Sequence, residues 1–450
     1  MAYLRTELQR GFYSFRRFCK WVLIAVLMGT MIGVAGVGFH HVDEYALHLF
    51  ASNSWLLFLM PLSGVVIIFL YRLCGIQHDR GTNLALLAAR GEQEIALRVT
   101  PLIGVSTILT HLTGGSVGRE GAALQMGGSM GSFLGRKLHL QGAEARMMEM
   151  CGMAAGFSAL FGTPLASAVF AIEVASVGMM PYAALVHCVV SALAAQQVAM
   201  WMGGAATVIR LEEVPAVCWQ SILGVVLLGC LCGLLSWVES FFLAGVHALY
   251  QRKIPNPYLC VAVGGCLVVV LSLLLGTRDY NGTGIDGVIR AVGGEAVPWA
   301  FACKLLFTAL TVGSGFKGGE IVPTFFIGAT FGCTVGVLLG LPAGFAAALG
   351  TVALFCGVTN APMASVLLAY EMFEGKALIL FALVCAVSYR LSGSRGLYGA
   401  QKLVASKELP EPYGNETDAE SVPESQGQQE TDESAGAEAL STGQEAALQK

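Results

Sequence analysis

Charge is what this 450-residue chain lacks. Asp, Glu, Lys and Arg together make up 12% of it, while hydrophobic residues make up 55%. A soluble domain carries about 25% charged residues, so a soluble enzyme or binding module is excluded. The thirteen cysteines form no CxxC pairs, and the eight histidines form no HExxH pattern. Neither a metal site nor a cofactor is therefore expected, and the cysteines read as small buried hydrophobes. No segment alternates apolar and polar residues over the length of a strand, which leaves helix as the secondary structure. His111 is the histidine nearest the most glycine-rich segment, and Ser116 is a conceivable nucleophile, but no familiar spacing joins them. A hydrolase needs a nucleophile–base pair or a ligand set, so no enzyme activity is expected. The first apolar run also lacks a small-x-small cleavage site and follows a 20-residue basic segment, so it is not expected to be a removed signal peptide.

What the chain has instead is apolar stretches along most of its length, among them 21–38, 55–73, 150–177, 217–246 and 259–275. Spanning the hydrocarbon takes about 20 apolar residues. Several stretches are shorter, or are cut by Gly and Pro, as in tilted or broken helices packed inside a bundle. Fifty-six glycines permit the close backbone approach that such packing uses. Charge is unevenly distributed. Of 30 acidic and 26 basic residues, 11 acidic and one basic fall in 408–450, leaving an excess of six positive charges before it. That tail is predicted to be disordered. Arg5, Arg10, Arg16, Arg17 and Lys20 precede the first run and predict a cytoplasmic N-terminus. The expected organisation is a lead-in over 1–20 forming an interfacial helix, a first half over 21–204, a second half over 216–400 and an acidic cytoplasmic tail over 408–450. The Asn-x-Thr matches at Asn281 and Asn415 read as chance.

The two halves repeat. Gly114-Gly-Ser-Val-Gly-Arg-Glu-Gly-Ala122 is echoed by the segment that starts at Gly318-Gly-Glu. Gly118 and Gly318 each stand two residues before a glutamate, Glu120 and Glu320, and Gly128 and Gly328 stand eight after. Pro164 precedes Glu173 by nine residues, as Pro362 precedes Glu371. A duplicated apolar half with a glycine-rich, charged break is the sequence sign of a transporter whose site lies between repeats at mid-membrane.

Four carboxylates lie in or beside apolar sequence, each costing about 2.5–3.5 kcal/mol at a bilayer centre on insertion scales. Glu173 and Glu371 hold matching helix positions and read either as hydrogen-bonded locks or as functional groups. Glu120 and Glu320 lie in the breaks. Glycines there let unpaired N–H groups face a cavity, and a helix starting near Gly121 adds about half a positive charge at its N-terminus. Bare amides and a dipole make an anion site without a full cation. A carboxylate on the same loop competes with the anion when ionised and swings away when protonated. The amides of Glu320, Ile321 and Val322 supply the second such site. Phe325 and Phe326 border the anion path by their ring edges or are ordinary core aromatics. Lys304 either balances a buried glutamate or snorkels to an interface.

These residues resemble the CLC family of chloride channels and proton-coupled anion antiporters. Gly118-Arg-Glu-Gly121, with Arg119 at its centre, is similar to that family's GREGP segment, with Ala122 in place of Pro. Gly319-Glu-Ile-Val-Pro323 is similar to its GxFxP segment, with Ile321 in place of Phe. Tyr398 resembles the tyrosine that faces the central anion. The resemblance implies an all-α polytopic fold of two inverted-repeat halves, a homodimer with one pore per subunit, and Glu120 as the gating glutamate. Where chloride-selective members carry a serine-bearing GSGIP, this chain has Asp79-Arg-Gly-Thr-Asn83, so Gly81, Thr82 and Asn83 are expected beside the anion. Val174 stands at the usual inner proton glutamate, and Glu320 stands where chloride members are apolar. That combination resembles the bacterial fluoride-exporting branch and implies exchange of fluoride for protons across an inner membrane, with Glu320 as a proton relay. The alternative is a chloride/proton antiporter or voltage-gated-type chloride channel of the same fold. Lipid, protons and a halide are the expected partners; nucleic acid is not.

Overall fold

The computed structural model describes residues 2–76, 79–204 and 207–407, with side chains from residue 11 onward. The acidic tail over 408–450 lies outside the described residues. Sixteen α-helices fall into two sets of eight. The first set is α1 Ala2–Ser52, α2 Met60–Leu73, α3 Thr82–Arg90, α4 Val99–Leu112, α5 Glu120–Lys137, α6 Ala143–Phe161, α7 Pro164–Glu173 and α8 Leu185–Trp201. The second set is α9 Trp219–Lys253, α10 Pro257–Leu275, α11 Ile285–Val292, α12 Ala300–Gly313, α13 Ile321–Leu338, α14 Ala343–Thr359, α15 Pro362–Met372 and α16 Leu378–Leu391. Members correspond in order, and several match in length. For example, α4 and α12 both have 14 residues, and α5 and α13 both have 18.

Local sequence explains the breaks. Gly162, in the left-handed region at φ 68°, ends α6, and Pro164 opens α7 two residues on. Asn360, at φ 54°, ends α14, and Pro362 opens α15. A left-handed residue releases the helix, and proline at a first helical position loses no hydrogen bond. The same punctuation in both halves therefore produces the same pair of short helices. Among the described residues, six helical segments are long and apolar enough to cross a membrane, and α4, α7, α12, α14 and α16 are shorter apolar helices.

Packing repeats as well. Where α5 crosses α6, a Cβ on Gly127 would lie 2.1 Å from the Gly152 carbonyl oxygen; where α13 crosses α14, one on Gly328 would lie 2.4 Å from the Gly350 carbonyl oxygen. Each crossing is thus as close as two backbones come, which glycine alone allows.

One expectation needs correction. Residues 2–20 are not a separate interfacial helix but the start of α1, which runs unbroken for 51 residues, or about 76 Å at 1.5 Å per residue. No proline interrupts it, and Gly11 alone is too weak a breaker. Residues 11–20 are exposed, core packing begins at Trp21, and Arg17 is tied to Glu144 at 2.7 Å. Within this all-α fold a single two-residue ladder forms among the described residues, β1 Ser176–Val177 pairing in parallel with β2 Lys402–Leu403. The linker between the halves folds back too, with Ile209 N donating to the Met372 carbonyl at 2.9 Å.

Gly127→Val and Gly328→Val should each cost at least about 3 kcal/mol, the upper end of overpacking, because the obstructing atom is backbone. The midpoint of thermal unfolding in detergent tests this. Wild-type midpoints in both variants would contradict the crossings.

A candidate anion and proton site where the halves meet

The two glycine-rich breaks pair directly. Gly118 N donates to Gly319 O at 2.6 Å, and Gly319 N donates to Gly118 O at 2.6 Å, an isolated antiparallel bridge between halves of opposite direction. Any larger residue would prevent it: a Cβ on Gly121 would stand 2.8 Å from Gly319 Cα, and one on Gly318 would stand 2.3 Å from a Val117 methyl. The second half also holds the first break by side chains. Asn281 Nδ2 donates to Gly114 O at 2.8 Å, Thr311 Oγ1 accepts from Ser116 N at 3.2 Å, and Ser116 Oγ meets Thr308 Oγ1 at 3.0 Å. Asn281 is thus a buried cross-half tie, not a sugar acceptor.

This pairing sets α5 and α13 with their N-termini together. The first amides of each helix have no acceptor within it. Glu120 is buried; its carboxylate accepts from its own backbone N–H, and Oε2 has no hydrogen-bond partner. Glu320, partly buried, bends back onto its own amide in the same way. Each carboxylate therefore occupies a position that an anion would take at a helix N-terminus. Tyr398 is buried close enough to interact electrostatically with both Glu120 and Glu320. Val322 N lies 3.3 Å from where a Gly118 Cβ would be, and Thr82 Oγ1 lies 2.9 Å from where a Gly121 Cβ would be. Thus Glu120, Glu320, Tyr398, Gly118, Gly121, Thr82 and Val322 gather at one place.

The 79–83 loop is braced rather than open. Gly81 N donates to Asp79 Oδ1 at 3.1 Å, and Asn83 Oδ1 accepts from Ala400 N at 3.0 Å. Asp79 Oδ2 also lies 2.7 Å from Lys317 Nζ, an ion pair joining the halves that the sequence reading did not anticipate.

Other candidates lie to the side. Arg119 Nη1 donates to His40 Nδ1 at 2.6 Å. Arg119 can only donate, so His40 Nδ1 accepts the hydrogen bond, and a neutral His40 carries its hydrogen on Nε2, beside His41 and Glu44. Phe325 packs against Phe161 and Phe355, and Phe326 against Tyr280, so both belong to the aromatic core. Lys304 neither balances a glutamate nor snorkels. It is wholly buried and donates to Tyr280 O at 3.1 Å and Gly282 O at 2.8 Å, with the Phe326 ring 5.5 Å away.

His111 has an assignment that the sequence did not reveal. Its Nε2 reaches Val117 O at 3.0 Å and its Nδ1 reaches Asp43 Oδ1 at 2.6 Å, with both residues at 0% exposure. A carbonyl only accepts, so Nε2 bears a hydrogen, and one further proton is held between Nδ1 and Oδ1. The pair stabilises the strand that leads into Glu120, and Ser116, bound to Thr308, is not its partner.

Glu173 and Glu371 resolve as locks. Glu173 accepts from Met363 N at 3.1 Å and Ala364 N at 2.8 Å, the first turn of α15. Glu371 accepts from Leu165 N at 3.0 Å and Ala166 N at 2.9 Å, the first turn of α7. Each short helix ends in the carboxylate that caps the other.

These features define an inverted-repeat, multi-pass membrane protein with two helix N-termini converging on one buried seat. The chain belongs to the CLC family: residues 63–393 match the family described as voltage gated chloride channel. A chloride/fluoride channel protein of Pseudomonas syringae pv. tomato is 36% identical over 402 residues, spanning 87% of this chain and 89% of that protein. The crystal structure of a CLC-type fluoride/proton antiporter superposes with a TM-score of 0.83 at 30% identity, covering 86% of this chain and 98% of that one. A slow cyanobacterial chloride/proton antiporter shares the fold, with a TM-score of 0.73 at 22% identity, over 84% of this chain and 96% of that one.

Glu173→Gln presents an amide donor to an amide it should accept from, and should cost about 1.5–3 kcal/mol of stability. Thermal unfolding in detergent measures the loss. The ratio of anions to protons moved should stay at the wild-type value, and a changed ratio would give Glu173 a transport role instead.

Proposed function

We infer that this protein is an antiporter that exports fluoride in exchange for protons, with Glu120 as the gate. The observation that carries this reading is the pair of glutamates bent back over converging helix N-termini, with Tyr398 within electrostatic reach of both. An ionised Glu120 holds the anion's place; protonated, it loses its attraction to the helix N-terminus and yields to a halide. One proton is thereby exchanged against anion passage. No covalent step is needed, and no enzyme activity is assigned.

Three features favour fluoride over chloride. Position 79–83 carries Asp-Arg-Gly-Thr-Asn and no serine. Glu320 adds a second carboxylate at the seat. Fluoride is small and strongly hydrated, so it demands close donors, and first-turn amides meeting from two helices supply them. The relatives named for fluoride in both comparisons support the same choice. Fluoride enters cells as neutral HF from acid surroundings, so an exporter driven by inward proton flow confers resistance.

The setting follows from the same reasoning. The basic residues before Trp21 favour a cytoplasmic N-terminus in a bacterial inner membrane. Glu371 is only partly buried, and Leu165, Met363 and Tyr370 beside it on α7 and α15 are exposed. A carboxylate near lipid is costly, and a second copy covering this face removes the cost, which supports a homodimer.

Purified protein in liposomes tests the reading, with fluoride and chloride efflux recorded by ion electrodes beside proton uptake. Wild-type protein should move fluoride in preference to chloride and take up protons with it. Faster chloride flux would assign the chloride alternative. Glu120→Gln should pass anion while proton uptake per anion falls at least ~100-fold, the scale of losing a positioned proton carrier. Glu320→Gln should likewise lower the coupling ratio, and an unchanged ratio rejects the relay role.

A further inference from the structure

Glu120 and Glu320 each interact with a second buried carboxylate, from the long helix of the same half. Asp43 on α1 acts electrostatically on Glu120, and Glu239 on α9 is acted on by Glu320. Asp43 and Glu239 stand 196 residues apart, close to the spacing of the repeat, and each has one carboxylate oxygen without a hydrogen-bond partner, Asp43 Oδ2 and Glu239 Oε2. Their neutralisation differs. Asp43 has His111 at 2.6 Å, whereas Glu239 has only a hydroxyl, Thr324 Oγ1, donating to its Oε1 at 2.6 Å.

Glu239 is 1% exposed. Its helix turns Trp237, Val238 and Phe241 outward, while Ser236, Glu239 and Ser240 face in. Ser240 Oγ is buried and also unpartnered. The helix packs on α12, α13, α14 and α16, whose charged groups are Lys304, Glu320 and Arg390. Lys304 is committed to two carbonyls, and Glu320 is the charged group that acts on Glu239. Thr324 lies one helical turn beyond Glu320, its N–H bonded to the Glu320 carbonyl at 3.0 Å. Thr324, hydrogen-bonded to Glu239 by its side chain and to the Glu320 carbonyl by its N–H, thus links the two carboxylates along the α9–α13 contact.

We propose that Glu239 takes the proton onward from Glu320 along the α9–α13 contact, the function left without a residue by Val174. The step is a transfer between acids: the Glu320 carboxylic acid becomes a carboxylate as the Glu239 carboxylate becomes the acid. The inference rests on the antiport reading above. A purely structural role, a hydrogen bond fastening α9 to α13, is the competing account, and Thr324 separates the two.

The test is fluoride efflux and proton uptake in liposomes for wild type, Glu239→Gln and Thr324→Val. Glu239→Gln should keep fluoride efflux within about threefold of wild type and lose ~100-fold in protons taken up per fluoride. Thr324→Val, which removes the hydrogen bond and keeps the acid, should hold the wild-type ratio. A wild-type ratio in Glu239→Gln, or an equal loss in Thr324→Val, overturns the proposal. Wild-type protein that takes up no protons refutes the antiport reading itself, a distinct result. Should Glu239→Gln not yield folded protein, Glu239→Asp decides: a shorter acid should slow proton uptake ~10-fold or more through misplacement, and an unaltered rate overturns the assignment.

Discussion

Two hydrogen bonds of 2.6 Å, exchanged between Gly118 and Gly319, are the constraint on which the rest depends. They join the halves at one residue on each side, and they do so at the helix N-termini. Everything chemical at this seat, from the unpaired first-turn amides to the two glutamates folded over them, exists because two backbones approach that closely. The glycines on either side are the condition for it, since a single Cβ at 118, 121, 318 or 319 meets backbone or side-chain atoms at 2.2–2.8 Å.

The same logic of exchange recurs away from the seat. Glu173 and Glu371 each cap the helix that ends in the other, so α7 and α15 hold one another by four backbone donors. A carboxylate in apolar surroundings is tolerated when donors at a helix N-terminus surround it. Among the paired carboxylates, those given two external amides each are structural, and those left with their own amide sit at the seat. The number and source of hydrogen bonds, not burial, separates the capping pair from the pair at the seat in this molecule.

Much of this was legible in the chain. The repeat, the helical class and the family followed from glycine, glutamate and proline spacing, because those residues act through local backbone geometry. Position 120 and position 320 were legible for the same reason. What was not legible depended on side chains meeting across the bundle. Asp43 with His111 and Asp79 with Lys317 are separated by 68 and 238 residues, and nothing in spacing points to them. Glu239 did leave a signal, a lone carboxylate inside a long apolar helix, but it has no glutamate counterpart in the first half, and symmetry drew attention elsewhere. Lys304 was misjudged because its sequence neighbourhood names the site while its side chain donates to two carbonyls in the core beside it.

The small ladder between β1 and β2 has a consequence for how the molecule is made. Tyr398 comes from the last stretch of the second half, yet that stretch is fastened to the first: Ala400 N to Asn83, Lys402 N to the Ala175 carbonyl, and Val404 N to the Val177 carbonyl. These residues follow α16, so they leave the ribosome after all sixteen helices. Until they emerge and are stitched down, the nascent protein has both glutamates but not the buried Tyr398 phenol within electrostatic reach of them. The buried seat is thus completed last, by a strand that ties the end of the second half back onto the first.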